Sequence, residues 1–539
     1  MSPKRKIPTK SELVQLQRLY KTDEKIGERL GGVPAYLIAY WRRKKSVPKH
    51  SQPKFSENEI RNLWERFGDD DRCGLEMGIS KAAFYNWRRR YGIHEKPAFL
   101  KLEQLELNLP GIDHRSQTTT LYGKQTITQK ILARAAGLEK VKVGELIVVE
   151  PDMVVVNENI GSVIKTFKKI GIEYVWNPTK IAIGLSHGNG SDSIPVDNKV
   201  AREFVKHQKI ENFFDLQDGA FHQAVFEQGL IHPGQLVFGS NKYSISYGAL
   251  SAFATGIDSN EMASVWAGGR LWLKVPPTIR TDISGRRSRG VYAKDVILAV
   301  IKQLGINRAN YQAIEYYGQA ITNMSISERI TLCTLSLEMG AKAAICQFEA
   351  ITRRYLNNRT TALYQPIIAD KDAEYEEMFQ FNIDKLTPQI AGPDGINTIR
   401  PVRDIEGLRI HQIIVGTCSN GRFDDIKILA DILKGKKVNQ GCRMILIPSS
   451  NKVYLKALKK GLIRVLAEAG VIINSTGYNP FMEGVQKLMA SGERCLLTSG
   501  SSMGYKHKEE GAEVYLCSPA TAAASALNGQ ITNPEPYVR

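Results

Sequence analysis

The chain has 539 residues, 42% hydrophobic and 24% charged, an ordinary globular composition; at roughly 100–200 residues per domain it is too long for one core and calls for about three to five domains. Its seven cysteines include no CxxC pair, which excludes a disulfide scaffold and a zinc ribbon and points to a reducing cytoplasm. No apolar run approaches the roughly 18 residues needed to span a bilayer, and no secretory signal follows the basic start. Lys and Arg number 73 against 55 acids, and 22 basic and 12 acidic residues fall in the first hundred, so ten of the eighteen excess positive charges sit there. A phosphate-binding module attached to a more neutral body would be charged in this way.

The first hundred residues contain an internal repeat with a period of about 46 residues, GERLGGVPAYLIAYWRR beside GLEMGISKAAFYNWRRR. Each copy predicts helix, helix, tight turn, helix. In the first, Leu13, Leu16 and Leu19 recur at helical spacing, and Ile26 and Leu30 mark a short second helix. Gly31 and Gly32 permit the turn, and Pro34 suits the first position of a third helix, where its missing N–H is not needed. In the second copy Ser80 is the expected N-cap of a helix over Lys81–Arg90.

Both third helices end in an aromatic and a basic cluster, Tyr40-Trp41-Arg42-Arg43-Lys44-Lys45 and Trp87-Arg88-Arg89-Arg90. Trp41 and Trp87 are expected to anchor small cores. Tyr36, Arg42, Arg43, Lys44, Lys45, Lys81, Tyr85, Asn86, Arg88, Arg89 and Arg90 are expected to face double-stranded DNA, where guanidinium forks meet phosphates or guanine edges. The second copy resembles the helix-turn-helix of insertion-sequence transposases over about forty residues. The division that follows is helix-turn-helix 1 over 1–50, helix-turn-helix 2 over 51–97, a linker over 98–120 and a body over 121–539.

In the body, short apolar runs such as IAIGL, LVFGS, IIVGT, MILIP and EVYLC, bounded by Gly, Ser or Pro and separated by helical stretches, read as buried parallel strands in alternating βα units. The ordered segments GKQTITQKILARAAG, FHQAVFEQGLIHPGQLVFGS, YGALSAFATGIDSNEMASVWAGG, MSISERITLCTLSLEMGAKA, GTCSNGRFDD and YLCSPATAAASALNG resemble the aconitase family, in particular the large subunit of 3-isopropylmalate dehydratase. The resemblance implies an α/β fold, a three-domain body with parallel-rich sheets around a cleft, here preceded by the all-α tandem helix-turn-helix region. By the same resemblance the family's swivelling fourth domain is expected to be absent from this chain.

The resemblance also implies a [4Fe-4S] cluster held by three thiolates, whose open iron acts as a Lewis acid, and here the chain departs from the pattern. The family's GADSHTCTYG reads GSNKYSISYG, which puts Tyr243 at the histidine and Ile245 at the first cysteine. Cys418 remains in GTCSNGR, whereas Tyr478 and Phe481 replace the last two cysteines in GYNPF. Ser186-His187 stands for an Asp-His pair, and Ser501 and Lys506 stand where SNRNFEGR supplies two arginines. By the resemblance His187, His222, Glu338, Asn420 and Arg422 keep family active-site positions. The candidate ligand-binding set is thus His187, His222, Tyr243, Ser244, Glu338, Asn420, Arg422 and Lys506, with His187, His222 and Glu338 as catalytic candidates.

These readings lead to a soluble, cytoplasmic DNA-binding protein, a transcriptional regulator with no cofactor, no metal and no cluster. Its aconitase-like body is then a pseudoenzyme that senses a small carboxylate or mediates assembly, as a homodimer or with a small subunit. The alternative is a cluster-independent lyase or isomerase acting on a small carboxylic acid, with His187 or His222 as general base, or a scaffold for a small subunit.

Overall fold

The structure is a computed structural model that describes residues 7–20, 22–47, 55–67, 70–93, 124–185, 194–393, 395–416, 420–476, 489–499 and 511–538. The chain divides into two compact units, residues 1–120 and 121–539. Among the described residues no helix is long and apolar enough to cross a membrane. The segment expected as a linker, 98–120, lies outside the described residues.

The first unit builds the repeat from short helices: α1 (Lys10–Tyr20), α2 (Asp23–Arg29) and α3 (Ala35–Lys44), then α4 (Glu57–Phe67), α5 (Asp70–Glu76) and α6 (Lys81–Arg90). Helices this short are marginal alone in water, so packing must hold them. Leu13, Ile26, Val33, Ile38, Trp41 and Val47 close the first core; Ile60, Trp64, Cys73, Phe84 and Ile93 close the second. Thr22 caps α2 by accepting from the Lys25 N–H, and Ser80 caps α6 by accepting from the Ala83 N–H. The turn before each third helix is closed by a main-chain bond of 2.9 Å, from Val33 N–H to Gly27 in one copy and from Ile79 N–H to Gly74 in the other. A Cβ on Gly27 would lie 2.0 Å from the Val33 oxygen, and one on Gly74 2.8 Å from the Ile79 oxygen. Only glycine permits that approach.

Several expectations for this unit are corrected. Leu19 is 71% exposed, because α1 turns Leu13 and Gln17 inward instead. Trp87 is only partly buried, and Phe84 fills the second core. Arg42 and Arg88, expected to face DNA, are buried at 4% and 8% exposure. Arg42 grips Asp23 through Nε and Nη2 at 2.7 and 2.6 Å, and Arg88 grips Asp70 in the same way at 2.8 and 2.9 Å. The remaining nitrogen of each donates to the carbonyl that closes its copy, Val47 or Ile93. Arg88 also lies 3.9 Å from the centre of the Trp64 ring. Both forks are occupied inside the fold.

The second unit contains three principal sheets. A five-stranded, all-parallel sheet runs in the order Asn212–Phe214, Ile181–Gly184, Met153–Val156, Leu236–Gly239, Phe253–Gly256. A four-stranded parallel sheet follows in the order Ala343–Cys346, Ala313–Tyr317, Thr278–Ser284, Glu377–Asn382. The third has seven strands: Arg494–Leu497, Gln412–Gly416 and Arg443–Ile447 lie parallel in its middle, and Gln389–Ala391 pairs antiparallel with Glu513–Cys517. The apolar runs in the sequence do become these buried strands, since a parallel strand covered on both faces is apolar along its length. The unit is therefore α/β with parallel-rich sheets.

The ion pairs inside the repeat generate a test. Arg88→Ala leaves the part-buried Asp70 without its partner, and removing one member of such a pair costs on the order of 2 kcal/mol, below the roughly 3–5 kcal/mol of a fully buried pair. The unfolding transition of the first unit, followed in the full chain by limited proteolysis, is expected to drop accordingly. Arg89→Ala, at an exposed position, should shift it by less than about 0.5 kcal/mol.

Candidate functional site

The cleft of the second unit lies at the carboxyl ends of parallel strands, where open α/β sheets place ligands. Strand Leu236–Gly239 leads into the 3-10 segment Lys242–Leu250. Helix Phe221–Gln228 starts against Gly184, where a Cβ would lie 2.1 Å from the Phe221 ring. That contact carries His222, 7% exposed, to the 3-10 segment. Its Nδ1 is 2.9 Å from the Tyr247 hydroxyl and its Nε2 3.1 Å from Asn241 Oδ1. Asn241 Oδ1 also accepts from the Tyr243 N–H, and its Nδ2 donates to Asn157. The amide orientation is thereby fixed, so His222 Nε2 carries the proton and Nδ1 accepts from Tyr247. Burial pushes the His222 pKa down to about 4, partly offset by Asn241. The imidazole is neutral, with both nitrogens engaged in holding its neighbours.

Residues three apart eclipse on a 3-10 segment, which puts Tyr243 and Ser246 on one edge; both line an inner slot with His222. Ser246 is 4% exposed and its hydroxyl has no hydrogen-bond partner among the described residues. An unsatisfied buried hydroxyl costs about 1–3 kcal/mol, which a polar ligand would relieve. Ser244, expected to bind ligand, is turned the other way. It is fully buried, with Oγ where a Cβ on Gly239 would come within 1.7 Å.

Gly416, which ends strand Gln412–Gly416, and Gly421, just before helix Phe423–Leu433, both lie against Ile447. Gly416 and Gly421 have φ of +117° and +75°, and a Cβ on either would lie 1.9 or 2.3 Å from the Ile447 oxygen. This close approach delivers Arg422, 4% exposed, to the cleft wall. Its Nε donates to Ser327 Oγ at 2.9 Å and its Nη2 to Thr331 Oγ1 at 2.6 Å. Burial pulls its pKa down and Asp425 offsets part of that, but a guanidinium remains charged. Behind it, Asn420 donates to Asp425 at 3.2 Å and accepts from Lys294 Nζ at 3.1 Å. Lys294, 2% exposed, also donates to the Thr498 carbonyl at 2.8 Å, and burial lowers its pKa to about 8.

The inner slot shares Gln223, Ile330 and Arg422 with a cavity of about 630 Å³ whose walls also include Glu227 and Tyr355. Of the residues expected at a site, His222, Tyr243 and Arg422 meet here. Asn420 lines a separate cavity of about 270 Å³ with Lys294. Glu338, on the 3-10 turn Ser336–Met339, lines none of these cavities. Ser186, His187, Cys418, Tyr478, Phe481, Ser501 and Lys506 lie outside the described residues. Sequence reading missed Ser246 and Lys294. The i, i+3 spacing from Tyr243 was a signal for the first. For the second it was a Lys-Asp pair opening the otherwise apolar helix Ala293–Leu304.

In the first unit Tyr36 and Tyr85 are 70% and 40% exposed. Arg43, Lys44, Lys81, Asn86, Arg89 and Arg90 are also exposed and Lys45 is half-buried.

The position that the resemblance gives to the first cluster ligand is Ile245, 1% exposed within the apolar core. A hydrocarbon offers iron no donor. Among the described residues no three His, Cys, Asp or Glu side chains gather as a metal site. Cys418, Tyr478 and Phe481, the other positions of that pattern, lie outside the described residues.

The buried imidazole predicts a pH signature. Because its folded pKa lies below the ordinary 6.5, His222 contributes stability above pH 6.5 that is lost as pH falls toward 4, on the order of 3 kcal/mol. Asp295, raised to about 7 by burial, acts in the opposite sense, losing stability as pH rises from 3.8 to 7, but it is common to wild type and variant. The stability gap between wild type and His222→Asn, measured by urea unfolding, should therefore narrow from pH 7 to pH 4.

The aconitase family (aconitate hydratase) matches residues 189–404 and 395–529. Large subunit 1 of 3-isopropylmalate dehydratase from Methanopyrus kandleri is 40% identical over 417 residues, 77% of this chain and all of that protein. A probable methanogen homoaconitase large subunit from Methanosarcina mazei is 40% identical over 374 residues, 69% of this chain and 95% of its own. The crystal structure of Thermococcus kodakaraensis aconitase X, 12% identical, aligns over 66% of this chain and 85% of its own with a TM-score of 0.40, too low to add to this. These relatives correct the main functional expectation. They are named as dehydratase and homoaconitase subunits, which overturns the DNA-binding transcriptional regulator and the pseudoenzyme alike. The expectation of a chain without a cofactor, which rested on the replaced cysteine positions, is corrected by the same matches; what stands is only that Ile245 itself offers no donor. By matched length and identity, the chain belongs to the aconitase family.

Proposed function

We propose that the body is the large-subunit component of a hydro-lyase or isomerase acting on a small hydroxy-carboxylic acid. The observation that carries this reading is a buried, permanently charged Arg422 lining the same inner slot as the orphaned Ser246 hydroxyl. Arg422 donates to the Ser327 and Thr331 hydroxyls, with Asp425 and Asp424 close behind it, and a substrate carboxylate entering the slot would add a charge-assisted hydrogen bond to this oriented cation. Ser246 would donate to a second substrate oxygen. His222 holds Asn241 and Tyr247, which keeps the floor rigid, and a preorganised site loses less on binding. Elimination of water from a hydroxy acid removes a proton beside a carboxylate, and a fixed cation at that carboxylate stabilises the charge that develops. The relatives' designation as large subunits supports a separate small subunit as partner.

The test is conversion of 3-isopropylmalate and related hydroxy diacids to unsaturated acids, followed by proton NMR, for the full chain with and without a cognate small subunit. Turnover is expected, with Arg422→Met lowering kcat/KM by roughly 100-fold or more and Ser246→Ala by about tenfold. If no hydroxy acid binds or turns over in either form, the reading is wrong.

A further inference from the structure

The cleft holds more room and more charge than a compact acid uses. A volume of about 630 Å³ is typical of sites for drug-sized ligands. The outer wall carries Arg354 and Arg359, on and just after helix Ala350–Asn357, and Lys452 and Lys456, one turn apart on helix Asn451–Lys459. Among the described residues none of these four forms a salt bridge. Several other exposed cations of this unit do pair, as in Arg134–Asp152, Lys180–Glu150 and Arg202–Asp215; here four that do not are gathered on one cavity wall.

Aromatic faces hold two of the four in place. The Arg359 guanidinium lies 3.7 Å from the centre of the Tyr355 ring and the Lys456 ammonium 4.0 Å from that of Phe423, contacts that orient a cation without neutralising it. The two acids of the wall turn to neutral groups. Glu227 accepts from Ser450 Oγ at 2.6 Å and from the Gln223 amide at 2.8 Å, and Asp424 accepts from Ser325 Oγ at 3.0 Å.

We propose that this outer wall is a second anion subsite, so that the cleft takes an elongated acid with two well-separated anionic groups. One group sits at Arg422 and Ser246; the other, a carboxylate or a phosphoryl group, sits among Arg354, Lys452 and Lys456. Lysine acts as a point charge rather than a shaped fork, so the outer subsite selects for charge at a distance and tolerates either chemistry. The proposal rests on the carboxylic-acid reading of the same cleft and adds its specificity.

Isothermal titration of the full-length protein tests it with three probe series: α,ω-dicarboxylates from succinate to sebacate, monocarboxylates of matched length, and ω-phosphono carboxylates. Long diacids or phosphono acids are expected to bind roughly tenfold more tightly than the matched monoacid, a gap that shrinks with added salt. The double variant Lys452→Met/Lys456→Met, at exposed positions, should close the gap and leave monoacid binding unchanged. Carboxylate and phosphonate arms then show which group the outer wall prefers. Equal binding of diacid and monoacid, or equal weakening of both in the double variant, overturns the outer subsite while leaving the carboxylic-acid reading intact. Failure of every acid to bind overturns both.

Discussion

A guanidinium buried at the end of a strand sets the terms for the rest of the cleft. Arg422 reaches its place only because Gly416 and Gly421 let the main chain turn hard against the Ile447 carbonyl. Once there, the charge must be held. Asp425 fixes the turn by accepting from the Arg422 N–H and the Asn420 amide, and Lys294 braces Asn420 from behind. Ser327 and Thr331, from the neighbouring helix, take the guanidinium itself. Placing a charge at the cleft wall and folding this turn are therefore the same problem at this position.

The chain solves the burial of arginine in two ways, and the contrast separates structural from ligand-facing charge. In the first unit Arg42 and Arg88 each meet a carboxylate two-pronged, which closes the electrostatics within the fold and leaves nothing for a partner. In the cleft the Arg422 guanidinium donates to the Ser327 and Thr331 hydroxyls, with Asp425 and Asp424 near it. His222 follows the second pattern in neutral form: its hydrogen bonds to Tyr247 and Asn241 define one tautomer and one ring orientation. The floor it supports presents Tyr243 and Ser246 to the same slot.

Much of this was legible in the sequence. Apolar runs bounded by glycine marked the parallel strands, and the repeat, its turns and the Ser80 cap were readable from spacing. Periodicity could not say which of several neighbouring basic residues turns inward, and Arg42 and Arg88 were therefore assigned to the surface. Their aspartate partners lie 19 and 18 residues away, and only packing of the first two helices brings them together. The same limit affected GSNKYSISYG, where Ser244 was chosen and Ser246 passed over, because a 3-10 segment reads differently from a strand or an α-helix.

The sequence by itself determined the α/β class, the two-part organisation of the head repeat and the family, since these depend on local periodicity and on ordered motifs that survive without knowledge of contacts. Tertiary structure alone decided which charges are spent inside the fold and which face the cleft. The reason is physical: a charge is neutralised by what lies within a few ångströms of it, and across a folded chain those neighbours come from helices and turns far apart in sequence.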